Sequence, residues 1–394
     1  MKSVTILRGM IFTKDCVFEP RELVIEDGII KEVQICDYEA LTQKEQEQYL
    51  IPGLVDVHFH GAAGYDFCDG TKEAMQAIAA YENEHGITMI CPATMSLPVA
   101  ELEQILAVAA GWKDGQTILP DEVCKALSQS LCGIHLEGPF ISKEKKGAHK
   151  EENIIPTDIA TLRKLQEKAN GLIRLVTIAP ETEGAMECIK ELKDEIRFSI
   201  GHTMVDYDMA GNAFETGVDH VTHLYNAMRT GTHREPSVPE AAADYGNVYV
   251  ELICDGVHVH PSVVRNAFRI YGDDRVVLIS DSMRATGMAD GEYTLGGQKV
   301  LVNGTQATLE DGTIAGSVTN IYDCMKKAIA MGIPKGSAIK AATINPAKSI
   351  GMDREVGSIE IGKRADILVT DNELNLETVI INGNIVKTLQ HDSL

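Results

Sequence analysis

Between residues 54 and 282 the chain repeats one pattern: a short run rich in Val, Ile and Leu, then a stretch with helical periodicity. The apolar runs are LVDVHFH, ITMICPATM, CGIHLEG, LIRLVTIAP, RFSIGHT, HVTHLYN, VYVELICD and VVLISDS, with amphipathic stretches such as TKEAMQAIAAYENEH and PSVVRNAFRIYG between several of them. Such alternation predicts βα units on a parallel sheet. Eight units are the number that closes a TIM-like barrel, so the expected fold class is α/β, a (β/α)8 barrel. Barrel chemistry sits at the C-terminal ends of the strands, and polar residues fall there repeatedly. His60 ends the first run, Glu137 the third and His202 the fifth; His223 lies in the sixth, Asp255 ends the seventh and Asp281 the eighth.

The flanks read differently. Residues 1 to about 50 alternate in the β manner around Asp27-Gly28, and the last 40 or so do the same around Asn382-Gly383, both hairpin turn pairs. The expected organisation is a small β-sandwich domain built from residues 1–51 and 356–394, enclosing a hydrolase barrel over 52–355. A net charge of −22 argues against a nucleic-acid surface, which needs clustered Lys and Arg. An anionic substrate would have to be met by local donors. The nine cysteines are scattered and form no Cys-x-x-Cys pair, which fits reduced thiols in the cytoplasm. No run reaches the roughly 18 apolar residues of a membrane span, the N-terminal apolar run is too short for a signal peptide, and no Walker motif is present.

In IPGLVDVHFHG, strand alternation turns His58 and His60 the same way, and two imidazoles so placed suit Zn²⁺ or Fe²⁺. The plainer reading is two hydrogen-bonded histidines at a strand end. Glu137 ends a buried run before Gly138-Pro139, where an unpaired charge is costly, so it must neutralise or meet a cation. That cation could be Arg or Lys. His202 and His223 supply nitrogen ligands that would make the lone carboxylate a catalytic metal site. Asp281 is placed to take a proton from water and return it to a leaving group, or else to cap the following segment. His135 either supports Glu137 or is a satisfied core histidine. No role falls to His85 or His391, and His220, His233 and His260 read as solvated or locally bonded. Cys91 and Cys254 read as core.

The His-x-His, the later histidines and the final aspartate resemble the amidohydrolase superfamily. Within it LEGPF, KGAHK, GHT, HLYNAM, HREP, CDGVHV, SDSMRATG and IAGS together resemble the N-acetylglucosamine-6-phosphate deacetylase family over essentially the whole chain. The resemblance implies metal ligation by Glu137, His202 and His223, acid/base work by Asp281, and a second metal held by His58 and His60. It implies sugar contacts at Ala148 and His149 and phosphate contacts at Asn226 and Ala227. It also implies a substrate segment Asp255, Gly256, Val257 and His258, and a lid at Ile314, Ala315 and Gly316. Arg234 matches an arginine that reaches a neighbouring active site, which implies a homodimer. The implied reaction is hydrolysis of N-acetylglucosamine 6-phosphate to glucosamine 6-phosphate and acetate in amino-sugar catabolism, with one or two divalent cations (Zn²⁺, Fe²⁺, Mn²⁺ or Co²⁺) per subunit. The alternatives are the galacto epimer, another amidohydrolase of dihydroorotase or aminoacylase type, or a non-catalytic scaffold barrel, which would be expected to have lost ligands that are all present here. Two departures from the family pattern, Ser237-Val238 and Tyr225, touch no expected ligand.

Overall fold

The computed structural model describes residues 4–115 and 127–388; His391 lies outside them. All eight expected strands form: Leu54–Asp56, Ile87–Ile90, Ile134–Glu137, Ile173–Ile178, Arg197–Ile200, His220–Val221, Tyr249–Ile253 and Val276–Ile279. The last six make one parallel sheet in chain order, and the first two pair in parallel with each other. Parallel bridges Ile90↔Leu131 and Ala93↔His135 join the second strand to the third. Past the strand ends, Asp281 N donates to His58 O (3.0 Å) and His60 N to Ser282 O (2.7 Å), so hydrogen bonds also link the eighth segment back to the first.

The helices between form where their ends are satisfied. Lys72–Glu84 starts at Thr71, whose side chain accepts from Ala74 N, and buries Ala74, Met75, Ile78 and Ala79. Pro261–Tyr271 begins with proline, which is pre-set for a helix start, after His260 has accepted from Ser262 N. His260 is thus locally bonded, one of its two expected readings. Ser237 makes a capping box with Glu240 for Val238–Asp244. Among the described residues, no helix is long and apolar enough to cross a membrane.

The strands stop earlier than expected. His202, His223, Asp255 and Asp281 each lie two residues past a strand end, and His58 and His60 lie beyond Asp56. The backbone turns there: His202, His223 and Asp281 take φ of 48°, 28° and 49°. That left-handed region is uncommon for residues other than glycine, although His and Asp are enriched in it.

Both ends of the chain enter one seven-stranded sheet. Its order is Asn384–Thr388, Leu376–Ile381, Ile367–Thr370, Tyr49–Pro52, Val4–Phe12, Phe18–Glu26 and Ile29–Ile35. Asp27-Gly28 and Asn382-Gly383 are turns with positive φ at all four residues, as a tight hairpin requires. These turns belong to opposite edges, yet they touch: a Cβ on Gly28 would lie 2.3 Å from Asn382 Oδ1. The sheet therefore curls until its outer hairpins meet, and Ile11, Leu23, Ile25, Ile30, Leu50, Ile367 and Ile380 fill its concave side. A further antiparallel sheet, Gly291–Leu295, Gln298–Asn303 and Gln306–Thr308, was not foreseen in the sequence. It packs with Met95, Ala148, Met283 and Ala315 beside the polar cluster described next.

Candidate active site

Glu137 ends its strand with a buried carboxylate, and the two oxygens serve different partners. Oε1 is 3.1 Å from His202 Nε2 and 3.1 Å from His223 Nε2. Oε2 is 3.2 Å from His60 Nε2, 3.4 Å from His58 Nε2 and 3.7 Å from His149 Nε2. Asp281 Oδ1 closes the group at 3.3 Å from His60 Nε2 and 3.9 Å from His58 Nε2. The first, third, fifth, sixth and eighth strand segments thus converge on one point.

The far nitrogen of each ring decides what the near one can do, because a neutral imidazole carries a single N–H. His58 Nδ1 faces Glu251 Oε2 at 2.9 Å and His202 Nδ1 faces the Lys145 carbonyl at 2.7 Å. Both acceptors require Nδ1–H, which leaves a lone pair on Nε2 toward Glu137. His149 is reversed. Its Nδ1 accepts from Ser96 N at 2.9 Å, so the neutral ring presents Nε2–H to the cavity. Although His149 lies close enough to Glu137 and His202 to form a metal-type group, it is a donor there and not a ligand.

Burial opposes charge throughout this cluster. In Glu137 it is outweighed by the imidazoles packed around the carboxyl, His58 first and then His149, His202 and His223, which hold it well below its ordinary range. Asp281, also buried, is brought to about 2 by the His60 hydrogen bond and the charges of His58 and His60. Against its own burial, His60 is lifted to about 10 by Asp281 and Glu137. His149 goes the other way, to about 4, through burial and the neighbouring His202. The carboxylates therefore demand positive charge between the rings. His58 Nε2, His60 Nδ1 and His223 Nδ1 are buried with no hydrogen-bond partner. Histidine nitrogens and carboxylate oxygens at these separations would suit a divalent cation.

Above the cluster lies a cavity of about 500 Å³. Ala148, His149, Asn226, Ala227, His258, Ile314 and Gly316 line it, while Ala315 is buried behind them. Asp255 accepts from His258 Nδ1 (2.7 Å) and from the backbone N–H of Val257 (2.8 Å) and His258 (2.9 Å), fixing the ring that faces the cavity. Neither Asp255, Gly256 nor Val257 lines the cavity, and Arg234 is exposed outside it. His135 is a satisfied core histidine, bonded to Val57 O (3.2 Å) and Thr177 Oγ1 (2.7 Å) and not to Glu137. No helix follows Asp281, so it caps none.

Sequence reasoning missed Glu251 and the lysines Lys143, Lys145 and Lys146 at the cavity wall. A carboxylate inside the apolar run VYVELIC was the available signal, since a buried charge needs a partner. The lysines sit in and just after a single 3-10 turn, Lys143–Lys145, too short to show a period in the sequence.

The fold and cluster define a hydrolase-type site, and the chain belongs to the amidohydrolase family, whose model matches residues 49–386. Within that family it is similar to N-acetylglucosamine-6-phosphate deacetylase of Bacillus subtilis (strain 168), 36% identical over 98% of this chain and 97% of that one. It is also similar to N-acetylgalactosamine-6-phosphate deacetylase of Escherichia coli O157:H7, 30% identical over 95% and 97%. A mutant of N-acetyl-D-glucosamine-6-phosphate deacetylase from Mycobacterium smegmatis, solved with N-acetyl-D-glucosamine-6-phosphate, superposes with a TM-score of 0.89 at 30% identity, covering 98% of this chain and all of that one.

Proposed function

We propose that the chain hydrolyses the acetamide of N-acetyl-D-glucosamine 6-phosphate, giving D-glucosamine 6-phosphate and acetate. The observation that carries this reading is the division of Glu137 between two histidine pairs, with Asp281 beside His60, under a cavity large enough for a sugar phosphate. The scaffold reads as a closed (β/α)8 barrel over 52–355 with a β-sandwich domain from 1–51 and 356–394. The hydrogen bonds from the eighth segment to the first and the meeting of the two outer hairpins support it.

Glu137, His202 and His223 would hold one divalent cation, and His58 and His60 with the other Glu137 oxygen a second. A cation bound there supplies Lewis acidity toward the amide carbonyl and brings the pKa of water toward about 7. Asp281, kept as a carboxylate by His60, takes the proton of the attacking water and delivers it to the departing nitrogen. His149 presents Nε2–H to the carbonyl oxygen or an adjacent sugar hydroxyl. Phosphate carries roughly two negative charges, which an acidic protein must meet locally. Lys143, Lys145, Lys146 and His258 line the cavity for that purpose, with Asn226 and Ala227. Arg234, exposed here, would serve a second copy in a homodimer. The described cysteines are free thiols, in keeping with a cytoplasmic enzyme.

The test is acetate release from the gluco and galacto epimers of N-acetylhexosamine 6-phosphate, with the metal content of the same preparation measured. Turnover of the gluco epimer is expected to dominate. Faster galacto turnover transfers the assignment to the epimer, and release from neither returns it to the bare family. Asp281→Asn should retain the metal and lose about 10²–10⁴-fold in kcat.

A further inference from the structure

Glu251 lies in the strand Tyr249–Ile253 and is fully buried beneath the cluster, out of reach of any substrate in the cavity. One of its oxygens does two things. Oε2 accepts the Nδ1–H of His58 at 2.9 Å and the backbone N–H of His223 at 3.1 Å. His58 belongs to the Oε2 side of Glu137 and His223 to the Oε1 side, so a single atom of Glu251 spans both halves of the cluster. The second bond falls at the point of greatest local need. His223 has φ of 28°, a strained conformation that persists only where its surroundings hold it. Leu224 N also donates to Glu251 O at 2.8 Å, so the side chain and main chain of one residue grip two successive peptides of that turn.

A rival use of these groups fails on hydrogen-bond chemistry. His58, His135 and Glu251 lie close enough together to form a metal-type group. Yet His58 Nδ1 carries the proton that Glu251 accepts, and both His135 nitrogens are engaged, with Val57 O and Thr177 Oγ1. Thr177 Oγ1 continues to Thr222 Oγ1 (2.8 Å) and from there to Ser199 Oγ (2.6 Å). Glu251 Oε1 is left without a hydrogen-bond partner, but one carboxylate oxygen with no free ring nitrogen of His135 beside it does not make a third cation position.

We infer that Glu251 is a positioning residue that sets the divalent-cation affinity of both halves of the site at once, through the His58 ring and the His223 backbone. This rests on reading the cluster as a metal centre. Partners that orient metal-ligating groups typically change affinity by about 10–100-fold when removed. The experiment measures Zn²⁺ dissociation constants of metal-stripped protein against a competing chromophoric chelator. Parent, Glu251→Gln, His58→Ala and the double variant are compared, with the unfolding midpoint of each recorded without metal.

Glu251→Gln, which keeps the side-chain volume, should weaken Zn²⁺ binding by about 10-fold or more with little change in the metal-free midpoint. In the His58→Ala background the same change should cost less, leaving only the share carried by the His223 turn. A lowered metal-free midpoint with unchanged Zn²⁺ affinity makes Glu251 merely structural and overturns the inference. Equal losses in the two backgrounds overturn the coupling to His58. A parent protein that binds no divalent cation removes the metal-centre reading itself, and this inference with it.

Discussion

His58, His149 and His202 are one side chain in three settings, and the group on Nδ1 separates their chemistry. A carboxylate or carbonyl there makes Nε2 a ligand; a backbone N–H makes it a donor. His149→Ala should therefore lower kcat by roughly 10²–10³-fold, the scale of losing one oxyanion donor, with bound metal unchanged. His202→Ala should lose metal, and elemental analysis beside steady-state rates distinguishes the two. A different buried carboxylate gives a pH prediction. Glu82 is fully buried with neither oxygen hydrogen-bonded, and burial together with the charge of Asp56 pushes its pKa well above the ordinary value. Its folded pKa exceeds the unfolded one, so the stability it contributes is complete below about pH 4.5 and is lost as pH rises toward the folded value. Each pH unit in that window is worth up to about 1.4 kcal/mol. Between pH 5 and 8 the midpoint of Glu82→Gln should gain on that of the parent; a constant difference would count against a neutral Glu82. At this scale Glu137, His202, His223 and Asp281 were legible because each ends or closes an apolar run, whereas His149, Asn226, Ala227 and His258 came only through the family resemblance and the cavity lysines through neither. Glu251 and Glu82 were not, because what matters for them is who lies across the interior, and spacing along the chain does not carry that.

The strands and the turns that follow them do separate jobs. A strand fixes position, and the left-handed residue two places on aims a side chain across the mouth. Gly201 shows how little room the arrangement leaves. A Cβ there would lie 2.6 Å from Thr222 Cβ and 2.9 Å from Thr177 Cγ2, just before His202. Gly201→Ala should destabilise by about 1–3 kcal/mol as an overpacked site and weaken metal binding with it, measured by denaturant unfolding and chelator competition. Apolar content and turn residues made all eight strands readable. Their ends were overshot by two residues because His202, His223 and Asp281 sit in runs that still look β-like, while the backbone has already left the ladder. The sheet Gly291–Leu295, Gln298–Asn303 and Gln306–Thr308 escaped notice for another reason: it is half exposed, and its residues Lys299, Asn303 and Gln306 dilute the apolar signal.

At the scale of the molecule, buried carboxylates and imidazoles of opposite demand are brought to one point, so a bound cation should be felt by the whole fold. Stripping it with a chelator should lower the unfolding midpoint, and restoring it to 100 times its dissociation constant should return about 2.7 kcal/mol. Identical midpoints with and without metal would contradict a cation that binds the folded state. The terminal sheet was legible as β structure from its two hairpin pairs. Its strand order was not, since Tyr49–Pro52 pairs with Val4–Phe12 on one side and Ile367–Thr370 on the other, and nothing local announces a partner more than 300 positions away. That pairing dictates when the protein can be finished. On the ribosome, the edge of Tyr49–Pro52 must wait for more than 300 further residues before Ile367–Thr370 emerges to pair with it, so over that span the nascent chain carries an open ladder edge.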